Sequence, residues 1–260
     1  MTALPLLQHW DATKNGLHRA AQVAGAFRKA YSPKLPNALH LALYIRPFGL
    51  TTGPLPFGQI DLFLAAGEVH VTVGDELWDI DLKGHSPKSL RAALINGLKQ
   101  HGIQGDVPAN DDDTPFQADG QQAADYTAAL WKISGGLREL RADWLGGVTP
   151  LVVWPHGFDA SQLWFPGGDP DEHNQAHLNF GFSPGSAGLP RPYIYAYASP
   201  MPDGLTGTSL PPLARWHSQG WTGVVIDYDS LAQTDSPEAE LVDTLRSVFA
   251  LLSARLTGTA

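Results

Sequence analysis

Apolar residues in the first hundred positions of the chain repeat first at helical spacing, then at every second position, then at helical spacing again. The opening stripe predicts a helix over residues 6–31 that ends at Ser32-Pro33, because proline cannot continue a helical hydrogen-bond ladder. The alternating stretches predict half-buried strands at residues 39–45, 60–64, 69–73 and 78–82. Ser86-Pro87, an N-cap residue followed by a first-turn proline, then begins a second helix.

The second half of the chain is predicted to repeat this order of elements. A helix over residues 122–143 precedes strands at 150–154, 162–165, 177–182, 192–198 and 222–228, and Ser236-Pro237 begins a final helix. Residues 104–120 separate the halves and contain five Asp, two Pro and two Gly, a composition typical of a linker or surface loop.

Two similar loops suggest that the halves are related. One follows the first strand as Pro47-Phe48-Gly49, and the other follows the strand at 150–154 as Pro155-His156-Gly157. The chain is therefore predicted to have an α+β fold of two pseudo-repeated halves, each helix–antiparallel meander–helix, packed as one compact unit. The halves are residues 1–103 and 121–260, joined by the linker 104–120, and the second carries an insertion around residues 167–215.

Charge and composition exclude several classes of protein. The net charge of -9 and the lack of a basic cluster argue against a nucleic-acid or anionic-membrane partner. The absence of cysteine excludes disulfides, thiolate metal sites and a cysteine nucleophile. No apolar stretch is long enough to span a membrane and no signal peptide is recognisable, so we expect a cytoplasmic protein. The sequence does not determine its oligomeric state.

The two Pro-x-Gly loops predict a cleft for a small molecule between them. A few polar groups within aromatic walls are the usual composition of a ligand site. The residues that would supply them are Arg46, Thr51 and Thr52 near the first loop, and Trp154, His156, Asp159 and Trp164 near the second. The guanidinium of Arg46 would suit a carboxylate or phosphate in bidentate contact. The alternative is that Arg46 pairs with an acidic neighbour and the tryptophans belong to the core.

A second candidate is a metal site at Glu172, His173 and His177. Imidazole and carboxylate groups bind zinc, iron or manganese without cysteine, so a divalent metal is the corresponding cofactor hypothesis. The two histidines have the spacing of a His-Glu-x-x-His zinc site, but Asn174 stands where that motif has its general base, and the context is not helical. The alternative is a polar loop that enters a strand.

The segment LTTGPLPFG at residues 50–58 is the most distinctive motif of the chain. Together with LPLLQHW at 4–10, Gly-Phe-Asp at 157–159, Gly-Phe-Ser-Pro-Gly at 181–185 and YIYAY at 193–197, it resembles an uncharacterised bacterial family, domain of unknown function 5996. The family pattern has a His-Glu pair shortly before Gly-Phe-x-Pro-Gly, where this chain has Gln175 and Ala176, so it is a divergent member. The resemblance covers nearly the whole chain and implies no established activity.

Three functions are consistent with the sequence. The first is binding of a small molecule in the cleft between the Pro-x-Gly loops. The second is a metal-dependent enzyme, a hydrolase or oxygenase that uses the His/Asp/Glu cluster. The third is a protein-interaction module with exposed aromatic residues around Trp216 and Trp221. Tyr193, Tyr195 and Tyr197 share one strand face, where they would line a pocket or pack beneath a helix.

Overall fold

The computed structural model describes residues 3–258. Its helices are α1 (Asp11–Tyr31), α2 (Pro87–Gln100), α3 (Gly120–Ala142), α4 (Tyr228–Ala232) and α5 (Pro237–Thr257), with 3-10 segments at Pro36–Leu41 and Leu205–Gly207. Its strands are β1 (Leu43–Arg46), β2 (Gly49–Thr51), β3 (Gly58–Phe63), β4 (Glu68–Val73), β5 (Glu76–Asp81), β6 (Gly147–Val148), β7 (Val152–Trp154), β8 (Asp159–Phe165), β9 (His177–Ser183), β10 (Tyr193–Ser199), β11 (Ala214–His217) and β12 (Gly223–Asp227). Helices and antiparallel strands together confirm the predicted α+β class. None of the helices within residues 3–258 has the length and apolar composition that a membrane span requires.

The described residues form two units, and neither is a single continuous stretch of chain. The first unit consists of residues 7–131 and 153–158. The second consists of residues 3–6, 132–152 and 159–258. The predicted linker at 104–120 therefore lies within the first unit, as do both Pro-x-Gly loops.

Strands β1 to β5 of the first unit form an antiparallel meander in chain order, with β5 at its end. Helix α1 packs on β1 and β3, and α2 packs beside α1. Helix α2 begins with a capping box, in which the hydroxyls of Ser86 and Ser89 each accept a hydrogen bond from the other's backbone N–H. The predicted N-cap at Ser86 is thus confirmed.

The second unit contains an antiparallel sheet in the order β11-β12-β10-β9-β8, with β6 paired to β8. Helix α5 packs on β9 and β10. Beneath it the ring of Phe180 lies 5.5 Å from that of Trp144 and 6.2 Å from that of Phe249, measured between centroids. These rings form the core on the helical side of the sheet. The opposite face of β9 and β10 holds polar side chains and tyrosines.

Residues 153–158 of the first unit pack against α1. A Cβ atom on Gly25 would lie 2.6 Å from Cγ of Pro155, so only glycine leaves room for the proline ring. The Nε2 atom of His18 lies 2.9 Å from the carbonyl oxygen of Pro155, and the rings of His18 and Phe158 stack with centroids 5.3 Å apart. Gly25 is therefore the position on α1 that admits the second Pro-x-Gly loop.

We expect Gly25→Ala to lower the free energy of unfolding by about 1–3 kcal/mol, the usual cost of forcing a methyl group into a packed interior. Gly135→Ala in α3 is the matched control, because no atom lies within 4 Å of its added Cβ. Alanine should there stabilise the helix by about 0.5–1 kcal/mol. Urea unfolding compares the two variants, and equal stabilities would contradict the close packing of Pro155 on α1.

Two predicted elements have different ends in the structure. The first helix begins at Asp11 rather than near residue 6, because His9 has a left-handed backbone (φ 51°) that a right-handed helix cannot include. The alternation over residues 39–45 corresponds to a strand only at Leu43–Arg46. The preceding residues form the 3-10 segment Pro36–Leu41, in which Asn37 and Ala38 have positive φ.

The predicted pseudo-repeat is not confirmed. The first sheet is a simple meander, whereas the chain of the second unit leaves its sheet after β10 and returns through β11 and β12. Three short strands, β2, β6 and β11, have no counterpart among the predicted elements. Two to four residues are too few to establish an alternation.

A buried arginine ties four segments of the first unit together. Arg28 on α1 is 3 % exposed. Its guanidinium donates hydrogen bonds to the carbonyl oxygens of Leu39 and Thr52 and to the hydroxyl of Tyr44, and lies 4.8 Å from the centre of the Tyr44 ring. All of these partners are uncharged. Helix α1, the first 3-10 segment, β1 and the loop that begins at Thr52 are thereby fixed to one side chain.

We expect Arg28→Met to lower the free energy of unfolding by about 2–4 kcal/mol, because buried carbonyl oxygens lose their donors. The neighbouring Lys29 is exposed, and Lys29→Met should change stability by no more than about 0.5 kcal/mol. Guanidinium chloride unfolding of both variants tests this. If both variants show a similarly small change in the free energy of unfolding, the hydrogen bonds of Arg28 do not stabilise the fold as inferred.

Candidate functional site

Strand alternation places polar and aromatic side chains on the face of the second sheet opposite α5. Tyr193, Tyr195 and Tyr197 on β10 point away from Ile194 and Ala196. In register, Tyr195 pairs with Gly181 and Tyr197 with Asn179 on β9, while Ser161 on β8 pairs with Gly181. We use the name tyrosine face for Asp159, Ser161, Asn179, Tyr195, Tyr197 and Trp221.

Two glycines let aromatic rings lie across the tyrosine face. A Cβ atom on Gly181 would lie 2.3 Å from Cζ of Tyr195, and one on Gly223 would lie 2.5 Å from Cζ3 of Trp221. The rings of Tyr195, Tyr197 and Trp221 are separated pairwise by 6.2 Å between centroids. Tyr195 is buried, whereas Tyr197 and Trp221 are half-buried, so these two rings form the accessible side of the group.

Two hydrogen bonds join polar groups of the tyrosine face, and one buried acceptor lacks a partner among the described residues. The Tyr195 hydroxyl donates to the Asp159 carboxylate at 2.6 Å. The Nδ2 atom of Asn179 donates to the Tyr197 hydroxyl oxygen at 2.8 Å. Asn179 is 8 % exposed, and its Oδ1 atom has no hydrogen-bond partner among the described residues. A buried acceptor without a donor destabilises the folded state by about 1–3 kcal/mol. A donor placed beside Oδ1 of Asn179 would therefore stabilise the folded protein.

Burial and negative charge both act on the two tyrosines. Burial raises the pKa of Tyr195 well above its ordinary value, and the charge of Asp159 and the hydrogen bond to it raise it further. Burial also raises the pKa of Tyr197; its hydrogen bond with Asn179 opposes this, and the charges of Asp159 and Glu172 reinforce it. Both phenols therefore keep their protons at neutral pH, with the Tyr195 hydroxyl donating to Asp159 and the Tyr197 hydroxyl accepting from Asn179. The carboxylates give this face a negative potential.

Two histidines border the tyrosine face. The Nδ1 atom of His177 lies 2.9 Å from the carbonyl oxygen of Gln175. The ring of His217 lies 4.7 Å from that of Trp221, and its Nε2 atom is 2.9 Å from the carbonyl oxygen of Gln219. Each imidazole thus has one nitrogen directed at a backbone carbonyl, which fixes its orientation.

The first unit has a shallow cavity of about 540 Å³ along α1. Its charged groups already have partners. The Arg19 guanidinium lies 3.0 Å from the Asp112 carboxylate and also bonds the carbonyl oxygens of Thr114 and Pro115. Because these bonds hold the 104–120 loop on the helix, the cavity offers a ligand fewer free groups than its volume suggests.

Five residues of the predicted cleft belong to the first unit: Arg46, Thr51, Thr52, Trp154 and His156. Arg46 is exposed at the end of β1. Thr51 and Thr52 are buried, and their hydroxyl oxygens accept hydrogen bonds from the N–H groups of Gly53 and Ile60, respectively, both at 3.0 Å. Trp154 is half-buried and His156 exposed, with ring centroids 6.3 Å apart. Both threonine hydroxyls therefore already accept hydrogen bonds from nearby backbone N–H groups.

The other two residues of the predicted cleft, Asp159 and Trp164, lie on β8 in the second unit. Asp159 belongs to the tyrosine face. Trp164 lies on the helical side, where its Nε1 atom donates to the carbonyl oxygen of Leu145 at 2.6 Å and its ring lies 5.0 Å from that of Phe249. The structure thus puts these two residues on opposite faces of one strand.

The three residues of the predicted metal site have different surroundings. Glu172 is half-buried, and its carboxylate lies 3.9 Å from Nε2 of the exposed His173. His177 is buried and directed at the carbonyl oxygen of Gln175. Within residues 3–258, no group of three or more His, Asp or Glu side chains is arranged to hold a metal ion. The arrangement gives the metal hypothesis no support.

Asn179 is the residue of the site that the sequence pattern does not predict. It occupies a polar position of an alternating strand, where an exposed side chain is the ordinary expectation. All seven residues of β9 are buried, so both of its faces are covered. The only signal in the sequence is the pair of strands HLNFGFS and YIYAYAS, whose alternate positions carry small or polar residues opposite tyrosines.

A sequence model of one protein family, described as "Family of unknown function (DUF5996)", matches residues 1–258. The chain belongs to this family. The resemblance carried by the LTTGPLPFG segment is thereby confirmed. No curated protein and no solved structure matches the chain.

Absorbance titration should detect the perturbed tyrosines of this family member. Because the pKa of Tyr195 and that of Tyr197 are raised in the folded protein, their ionisation favours the unfolded chain. Their contribution to stability is present below the ordinary tyrosine pKa of 10.0 and is lost as the pH rises through the folded values. Asp159→Asn should move the highest tyrosinate transition to lower pH.

The control for this titration is Asp243→Asn, since Asp243 is 80 % exposed on α5. It should leave the tyrosinate curve unchanged. The assignment of the negative potential to Asp159 is contradicted if both substitutions give the wild-type curve.

Proposed function

We propose that the protein binds a small organic molecule at the tyrosine face. The observation that carries the proposal is the Oδ1 atom of Asn179, which is buried and has no partner among the described residues. Because this oxygen is shielded from solvent, a ligand reaches it only by displacing side chains that cover it, and the donor that the ligand supplies would then offset a cost of about 1–3 kcal/mol. The half-buried rings of Tyr197 and Trp221 would provide the aromatic walls that ligand sites typically contain.

The proposed ligand is a small molecule, as predicted from the sequence, but its site is the tyrosine face rather than a cleft between the Pro-x-Gly loops. The hydroxyls of Thr51 and Thr52 already bond within their loop, and Trp164 bonds a backbone carbonyl. Asp159 is the predicted cleft residue that the proposal retains. The residues 167–215, predicted to be a functional insertion, supply Asn179 and two tyrosines of the site.

A double variant, Asn179→Leu/Tyr197→Phe, tests the proposal. It removes both partners of one hydrogen bond together with the orphan oxygen, and such an exchange is nearly neutral for stability. We therefore expect a melting temperature close to that of the wild type. Mass spectrometry of small molecules released on denaturation should find a compound in the wild-type protein that the double variant has lost.

Tyr193→Phe is the matched control, because it removes a hydroxyl from the same strand at a site where that hydroxyl bonds Ser186 at 2.9 Å. This variant should retain the compound. Equal retention by the double variant would place the ligand elsewhere, and a compound absent from all three proteins after purification under mild conditions would count against the proposal.

A further inference from the structure

We infer that the ligand of the tyrosine face is an organic cation, a protonated amine whose N–H group is held by Asn179 and whose charge lies against Tyr197 and Trp221. This inference rests on the proposed function and specifies the chemistry of the same site. Three independent observations support it: the kind of polar atom that lacks a partner, the sign of the nearby charges, and the aromatic rings.

The unpaired group of the tyrosine face is an acceptor. Asn179 uses its Nδ2 atom on Tyr197 and leaves Oδ1 without a donor among the described residues. A carboxylate ligand has only acceptor atoms at neutral pH and would bring a second acceptor against this oxygen. An alcohol or an amine would supply a donor, so the hydrogen bond alone favours these two classes.

The charges around the site favour the amine over the alcohol. The Asp159 carboxylate accepts a hydrogen bond from the Tyr195 hydroxyl, and the charges of both Asp159 and Glu172 act on Tyr197. The two arginines of the neighbouring strand ends are engaged elsewhere. Arg191 forms two hydrogen bonds to Asp229, at 2.8 and 2.7 Å, and Arg215 forms two to Asp227, at 3.0 and 2.8 Å.

The aromatic rings supply the remaining part of a cation site. The ring centroids are 6.2 Å apart in each pair formed by Tyr195, Tyr197 and Trp221. The plane of the Trp221 ring is tilted by 63° from that of Tyr197. The faces of Tyr and Trp rings attract cations with about 0.5–2 kcal/mol, more where water is excluded. The half-buried sides of Tyr197 and Trp221 would thus stabilise an ammonium group that Asn179 orients.

Three probes of similar size test the inference: phenethylammonium, phenethyl alcohol and phenylacetate, which share a benzyl group and differ in the charge of the polar end. Isothermal titration calorimetry on the full chain at neutral pH measures their dissociation constants. We expect phenethylammonium to bind at least about tenfold more tightly than the alcohol, and phenylacetate to bind most weakly.

Charge-removing variants show whether the carboxylates cause this preference. Asp159→Asn keeps an acceptor for the Tyr195 hydroxyl and removes the charge, so the preference for the ammonium probe should fall several-fold while binding of the alcohol stays unchanged. Glu172→Gln should act in the same direction, and provides the test if Asp159→Asn fails to fold. Asp243→Asn, at an exposed position on α5, should leave all three constants unchanged.

The outcomes separate this inference from the proposed function. If the alcohol or phenylacetate binds as tightly as the ammonium, and Asn179→Leu/Tyr197→Phe abolishes that binding, the tyrosine face is a ligand site for a different class of molecule and the cation inference is wrong. An ammonium preference that both carboxylate variants retain also overturns it. If no probe binds the wild type better than it binds the double variant, the inference fails and the proposed site loses its support with it.

Discussion

Arg28 brings an ionised guanidinium into the interior of the first unit, where its hydrogen-bond partners among the described residues are uncharged. Removing an ionised group from water is costly unless hydrogen bonds compensate for the lost hydration. The carbonyl oxygens of Leu39 and Thr52 and the Tyr44 hydroxyl pair with the two Nη atoms, whereas Nε has no hydrogen-bond partner among the described residues. The backbone on both sides of β1 therefore approaches the helix. Because a guanidinium is planar and its N–H groups point in fixed directions, it sets the positions of these segments more strictly than a lysine ammonium would. The LTTGPLPFG loop thus has a structural role in receiving this side chain.

Part of this arrangement is visible in the sequence. Leu17, Ala21, Ala24 and Arg28 follow helical spacing, so the apolar stripe of α1 places an arginine at a core position. Its partners are backbone carbonyls, which have no signature in the sequence. The same limit explains the ends of two elements. The left-handed backbone of His9 and the 3-10 segment before β1 depend on tertiary contacts, whereas the strands β3, β4 and β5 follow from alternation alone.

The candidate site, too, is only partly predictable from the sequence. Alternation within one strand predicts that Tyr195 and Tyr197 share a face, and it separates Asp159 from Trp164 because their positions differ by an odd number. What alternation cannot supply is the register between strands. The pairing of Tyr197 with Asn179 and of Tyr195 with Gly181 depends on the loops on either side of β9, which are too long to fix the register by turn geometry. The orphan oxygen of Asn179 is a product of that register, and for this reason the site emerges from the structure rather than from any motif.

The discontinuous units have a consequence for the order in which the chain folds during synthesis. The first unit needs Pro155 on α1, so it is incomplete until residue 158 has left the ribosome. The second unit includes residues 3–6, where the carbonyl oxygen of Pro5 accepts a hydrogen bond from the Tyr228 hydroxyl at 2.7 Å. At roughly 5–20 residues per second, the segment around Pro5 waits on the order of ten seconds for Tyr228 to be made. The segment around Pro5 thus reaches its hydrogen-bond partner only after strand β12 has been synthesised, which leaves its native place in the second unit unfilled until then.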